Sequence, residues 1–407
     1  MLATLTMLGI VGWGVGTMVV DFVKNDSHSL QGKLQLIYKR CDIATENKES
    51  HDSKKKKLYP SLTKIGWNGN NKVLYYKLPT GLSFRDVLQK MNYITDGLGA
   101  EVIPKQLEGD YKSDFTFTVL SGHLQERVDY TNESELLKSK QGMFVPIGWS
   151  RRGFEQLDLS QPDTCDLLIA GVKGSGKSTL MRLIGTSLIL NYSDTELNLW
   201  LADFKNGAEF SVFGNTSLVK NKITHPHEAK KFFIFLLEAC EQRNILFTQN
   251  NCVDIDEFNI KYPKNKIPHI IMMLDELAML QGKNEEHLIL TQLGAVARSS
   301  GIHLIISTQR PDRNVIDSNL KNNIAVTVGF RTKNQVSSRV VLGEQNDRLA
   351  YIDPDLRGRC IMQHGAKEIY VQVPLITPSK ASELLIPYQI PLQQSNNSSQ
   401  ITYSKST

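Results

Sequence analysis

Residues 167–180 read LLIAGVKGSGKSTL, and no other stretch of the 407-residue chain limits its possible folds so strongly. An uninterrupted apolar run predicts a strand buried on both faces, and this run gives way to a glycine-rich loop opening into a helix. Gly171, Gly176, Lys177 and Ser178 match the spacing G-x-x-x-x-G-K-[ST]. Glycines at those positions let backbone N–H groups turn inward around phosphate oxygens, and the helix adds its positive end. The stretch expected to hold a nucleotide is therefore Gly171, Val172, Lys173, Gly174, Ser175, Gly176, Lys177, Ser178 and Thr179. Lys177 is assigned to the β- and γ-phosphates of ATP, and the Ser178 hydroxyl to Mg²⁺.

A strand that feeds such a loop needs neighbours. From about residue 143 onward, short apolar runs alternate with helical stretches: 166–170, 197–203, 269–276, 302–308 and 323–331, with helices over 226–248 and 284–299 between them. That alternation predicts a parallel sheet covered on both faces. The run IIMMLDEL brings Asp275 and Glu276 to the end of a strand, at the sheet edge where nucleotides bind. There Asp275 is expected to hold the Mg²⁺ shell and Glu276 to polarise an attacking water. The bland alternative is a carboxylate capping the next helix. IHLIIST ends in Thr308, and Gln309 comes next as a candidate γ-phosphate sensor; the alternative is a plain turn stopped by Pro311.

The other regions are quieter. Met1 to Val20 contains no charged side chain. About 20 apolar residues suffice to cross a bilayer, so residues 1–23 are expected to form one membrane helix, with a cleaved signal or a soluble terminus as alternatives. Lys24, Lys33, Lys39 and Arg40 come after it, which would keep the rest of the chain on the cytoplasmic side of a bacterial membrane. Residues 24–59 read as a linker, with TENKESHDSKKKK at its centre. Residues 60–142 read as a small α+β adaptor domain: strands over 73–78 and 114–120 and a helix over 83–99. Residues 143–387 would be the ATPase domain and 388–407 a disordered tail. The formal charge of +5 permits a polyanionic partner without requiring one. Five scattered cysteines, none in C-x-x-C spacing, argue against both a disulfide framework and a zinc site.

Taken together, LLIAGVKGSGKSTL, LADFKNGAEFSVF (201–213), the Asp275–Glu276 strand, ARSSGIHLIISTQRP (297–311), SSRVVLG (337–343) and the closing strand pair RGRCIMQHGAKEIYVQVP (357–374) resemble the motor domain of the FtsK/SpoIIIE family of DNA translocases. The resemblance implies a RecA-like P-loop ATPase core in an α/β fold, assembled as a hexameric ring that threads double-stranded DNA. It carries the nucleotide roles to Lys177 and Ser178, the metal and water-activating roles to Asp275 and Glu276, and the sensor role to Gln309. An arginine from the neighbouring subunit should stabilise transition-state charge. Arg339 and Arg298 are the candidates, each with a plain surface role as alternative. Arg313 and Lys321 are candidate DNA-phosphate contacts.

Asp203-Phe204-Lys205 departs from the family pattern, where a proline often comes after the aspartate. The expected single membrane helix and the polar tail differ from chromosome-segregating members, which resemble this chain only in the motor. That architecture is closer to the coupling proteins of conjugative plasmids and integrative elements. Their expected partners are a relaxase and a secretion channel. Chromosome segregation and protein secretion are the alternatives.

Overall fold

The computed structural model describes residues 32–46, 57–68, 71–98, 100, 102–107, 113–120, 124–131, 142–205, 207–214, 216–316, 318–344 and 346–390. The expected membrane helix over 1–23, the centre of the expected linker and most of the expected tail lie outside these residues. Among the described residues no helix is long and apolar enough to cross a membrane. The chain divides into two compact units, 1–123 and 124–407.

The first unit contains a helix over 32–40 (α1) and a short ladder of β1 (Thr45–Glu46) with β2 (Lys57–Leu58). Beside these lies a four-stranded antiparallel sheet in the order β3 (Ser61–Asn68), β4 (Asn71–Lys77), β6 (Asp114–Val119), β5 (Val102–Gln106). Leu74, Tyr76, Phe115 and Phe117 turn one face of that sheet into a core with Leu34, Ile37 and Tyr38 of α1. The helix expected across 83–99 is instead two, α2 (Phe84–Gln89) and α3 (Met91–Leu98), interrupted at Lys90. Val87 and Ile94, seven residues apart, are both buried, so the apolar period runs across a break in the backbone. Ser83 starts α2 with a reciprocal capping box to Asp86.

The second unit is built on a ten-stranded sheet ordered β11-β10-β12-β13-β9-β14-β15-β16-β7-β8. Its first six strands, β11 (Val219–Ile223), β10 (Leu197–Asp203), β12 (His269–Asp275), β13 (Ile302–Thr308), β9 (Leu167–Ala170) and β14 (Val326–Phe330), run parallel. The rest is antiparallel: β15 (Arg359–His364), β16 (Lys367–Gln372), β7 (Phe144–Ser150) and β8 (Gly153–Asp158). The sheet is thus mixed, not wholly parallel. Tight hairpins need no crossover helix, so β7/β8 and β15/β16 extend the parallel core antiparallel.

Alternate residues of the central strands serve two cores. Ile271 and Met273 of β12 pack with α4 (Lys177–Asn191) and α10 (Pro378–Leu385) on one face. Ile270, Met272 and Leu274 pack on the other with α5 (Ala229–Gln249), α7 (Asn284–Val296), α8 (Ser318–Asn323) and α9 (Gln335–Leu342). Every residue of β12 and β13 is buried, which is why both read as continuous apolar runs. A short helix, α6 (Ile255–Lys261), packs its Ile255 and Phe258 on Phe247 of α5.

At the amino edge of this sheet, His303 is buried and its imidazole is held well below the usual histidine range, first by burial and then by the adjacent His269 ring. Next to it, burial pushes the Asp166 carboxyl up to about 7 against the pull of the Leu304 N–H, 2.6 Å away. The two groups oppose each other in linkage. His303 binds fewer protons folded than unfolded, so its contribution is full above about pH 6.5 and is lost on acidification. Asp166 binds more protons folded, so its contribution is full below about pH 4 and is lost as pH rises towards 7. Between pH 5 and 6 the two slopes have opposite signs. Asp166→Asn removes one of them, so its unfolding free energy should fall by about 1 kcal/mol per pH unit more steeply than wild type on acidification. Urea denaturation at pH 5, 6 and 7 measures this; parallel profiles would contradict it.

Candidate functional site

The sheet brings one end of four parallel strands together: register pairs Asp203 with Asp275, and Thr308 with Ala170. Ala170 leads directly into the glycine loop. Gly171 has φ +152°, and a Cβ there would stand 2.7 Å from the Phe330 Cβ. Gly176 has φ +124°, and a Cβ would stand 2.8 Å from the Gly358 Cα. Both positions thus require glycine for conformation and for space. The loop is fixed from outside: the Val172 N–H donates to the Arg331 carbonyl (2.9 Å), and the Gly358 N–H to the Ser175 carbonyl (2.9 Å). Lys173 and Gly174 are exposed at its mouth, and Ser178 and Thr179 are half-buried in the first turn of α4. The positive end of this 15-residue helix faces the loop, the arrangement that binds phosphate.

Lys177 is 4 % exposed, and its ammonium donates to the Val172 carbonyl at 2.7 Å. Burial pulls its pKa down to about 8, against the opposing pull of Glu276 and Asp275. The lysine is therefore a desolvated cation, positioned inside the cradle.

Across the cleft, Asp275 accepts a hydrogen bond from the Ser307 hydroxyl at 2.6 Å. Glu276 comes next, in a left-handed conformation with φ +72° and ψ 70°. A residue with a side chain pays about 1–2 kcal/mol to adopt it, and such strain accumulates at functional positions. Its Oε1 accepts from the Gln309 N–H (2.9 Å) and the Thr308 hydroxyl (3.3 Å). Its side chain makes no capping bond to the adjoining 3₁₀ turn, so it is tethered to β13 and not to the next helix. Gln309 meets Glu276 through its backbone and is itself half-buried.

Sequence alone assigns no role to Lys205. Its ammonium bridges Asp275 (2.9 Å) and Glu276 (3.2 Å). Burial alone would lower its pKa, but the two carboxylates outweigh that and raise it. Asp203, fully buried, accepts from the N–H groups of Lys205 (3.0 Å), Glu209 (2.8 Å) and Phe210 (3.0 Å), and so shapes the loop that presents the lysine. Arg182 of α4 ties the loop down through Glu209 and also donates to the Ile376 carbonyl at 3.0 Å. No local sequence pattern marks the lysine; its place follows from the register that sets the end of β10 beside the Asp-Glu strand.

The cationic candidates are dispersed. Arg298 is exposed in the turn before β13, at the sheet edge opposite the glycine loop. Arg339 lies on α9, half-exposed, 3.9 Å from Asp347. Arg313 is exposed, 4.0 Å from Glu344. Lys321 is turned inward instead, donating to the Val340 carbonyl at 2.8 Å, with its pKa lowered by burial.

The residues present fit a hard divalent cation. Asp275 and the Ser178 hydroxyl are oxygen donors of the kind Mg²⁺ takes when phosphates complete its shell. The buried carboxylate pair already demands positive charge, which Lys205 supplies.

Residues 142–313 match the model of the FtsK/SpoIIIE family. DNA translocase FtsK of Staphylococcus epidermidis is 34 % identical over 218 residues, covering 50 % of this chain and 27 % of that protein. DNA translocase FtsK of Clostridium acetobutylicum is 35 % identical over 183 residues, covering 43 % of this chain and 24 % of that protein. The chain thus spans about a quarter of the length of these curated relatives. Among solved structures, the pCW3 conjugation coupling protein TcpA, in monomer form with ATPγS, aligns with TM-score 0.58 and 22 % identity over 88 % of this chain and 99 % of that one. The cytoplasmic domain of the type VII secretion ATPase EccC of Thermomonospora curvata aligns with TM-score 0.53 and 22 % identity, over 59 % of this chain and 31 % of that one. At such identities the structures establish the fold.

Proposed function

We propose that the FtsK/SpoIIIE-family P-loop ATPase domain carried by residues 142–313 hydrolyses ATP to translocate double-stranded DNA, and that the chain acts as the coupling protein of a conjugative plasmid or integrative element. The observation that carries hydrolysis is the tethering of Glu276: strained backbone, Oε1 held by the Gln309 N–H, and the cradle of Gly171–Ser178 opposite. In this reading the loop N–H groups and Lys177 hold the phosphates, Glu276 takes a proton from the attacking water, and Gln309 reports the γ-phosphate through the bond its backbone makes to Glu276. Asp275 and Ser178 hold Mg²⁺, whose part is to neutralise phosphate charge.

The FtsK relatives support double-stranded DNA as cargo. The conjugative role is supported by the likeness to TcpA, which extends over nearly all of that chain and includes both units of this one. A hexameric ring, an arginine from the neighbouring copy (Arg339 or Arg298), a membrane helix over 1–23 with the motor on the cytoplasmic side, and relaxase and channel partners complete the proposal. Chromosome segregation is the second reading, favoured by the FtsK names; protein secretion is the third, favoured by the EccC likeness.

Displacement of a third strand from a triplex-bearing duplex by the full chain tests the cargo. ATP should drive displacement and ATPγS should not. ATP turnover without displacement would contradict DNA translocation, and stimulation by polypeptide instead would favour secretion.

A further inference from the structure

Two adjacent carboxylates, Asp275 at 2 % exposure and Glu276 at 6 %, are removed from water beside the phosphate cradle. Ionised groups so placed are strongly destabilising unless a cation sits against them. Among the described residues both of their ion pairs are made by Lys205, whose ammonium touches Asp275 Oδ2 and Glu276 Oε2 at once. Lys177 adds its charge to their surroundings from a distance but makes no ion pair with either, its ammonium being bonded to the Val172 carbonyl.

We propose that Lys205 is the resident counter-cation of the Asp275–Glu276 pair in the nucleotide-free chain, and that it keeps a divalent cation off the pair until nucleotide arrives. The inference rests on reading the cradle as a Mg²⁺-nucleotide site and adds an order to its filling. Without nucleotide, a divalent ion would have to displace an ammonium already bonded to both carboxylates, gaining in return only the Asp275 carboxylate and the Ser178 hydroxyl. Mg²⁺ dehydrates reluctantly and ordinarily binds through one or two carboxylates together with substrate phosphates, so the exchange is unfavourable until phosphate oxygens are present. Lys205 is suited to leave when they are. Its backbone is fixed by Asp203, while a third of its side chain is exposed on a flexible four-carbon stem. By linkage, nucleotide and divalent cation then raise each other's affinity by the same factor.

Manganese binding to the full chain, read by the electron paramagnetic resonance of free Mn²⁺ and corrected with a protein-free titration of Mn²⁺ with ATPγS, tests this directly. Wild type should bind Mn²⁺ weakly alone and at least about 10-fold more tightly with ATPγS. Lys205→Met should bind Mn²⁺ without nucleotide about 10-fold more tightly than wild type, with a correspondingly smaller gain on adding ATPγS. Lys205→Arg, which keeps the charge, should behave as wild type. Equal Mn²⁺ affinity of wild type and Lys205→Met without nucleotide overturns the proposal. So does wild-type binding that is equally tight with and without ATPγS, an arm that stands even where the methionine variant does not fold. No Mn²⁺ binding by wild type under either condition overturns the nucleotide-site reading itself, which separates the two failures.

Discussion

Glu276→Gln is expected to lower kcat for ATP by about 10²- to 10⁴-fold, the range for removing a general base, while ATPγS binding is retained. The substitution preserves length, so its amide oxygen can still accept from the Gln309 N–H and the Thr308 hydroxyl, now 2.9 and 3.3 Å from the carboxylate. What it removes is the proton acceptor and the negative charge facing Lys205, 3.2 Å away. A loss confined to kcat is the signature of a group acting in the transition state. Steady-state turnover beside equilibrium ATPγS binding separates the effects. A rise in KM with kcat unchanged would assign Glu276 to binding, and no change in either would return it to a structural role.

The glycine loop, the buried strand before it and the Asp-Glu strand were legible because each is dictated locally. A strand buried on both faces has no polar side to show, and Gly171 and Gly176 take positive φ angles that favour glycine whatever they later pack against. The elements that escaped are those whose reason lies elsewhere in the sheet. β11 contains Lys220, Asn221 and Lys222 because it is an edge strand, and charge there discourages pairing with another chain. β7 hides behind Pro146 and Gly148, where its register with β8 shifts and where a Cβ on Gly148 would stand 2.5 Å from the Gln372 carbonyl oxygen. Lys205 escaped for a related reason. Its significance comes from a strand pairing that sets Asp203 beside Asp275, 72 residues later, and no local pattern encodes that neighbour. The inward turn of Lys321, expected at a DNA backbone, shows the converse: its charge does not reveal that it sits in the last turn of α8 and finds the Val340 carbonyl.

Lys177→Ala should abolish ATP turnover to within about 10⁻²–10⁻³ of wild type, the loss expected on removing a preorganised donor aimed at developing charge. Lys177 is 4 % exposed and its ammonium is bonded to a loop carbonyl 2.7 Å away, so a phosphate oxygen entering the cradle would meet a cation with little water around it. With a pKa of about 8 it remains predominantly charged at neutral pH. The central claim, that this cradle drives movement along DNA, is tested most directly by ATP turnover of the full chain with and without duplex DNA, for wild type and Lys177→Ala in parallel. The account predicts that duplex DNA raises wild-type turnover several-fold, and that Lys177→Ala is inactive in both conditions. Turnover indifferent to duplex DNA, or undiminished in Lys177→Ala, would contradict it.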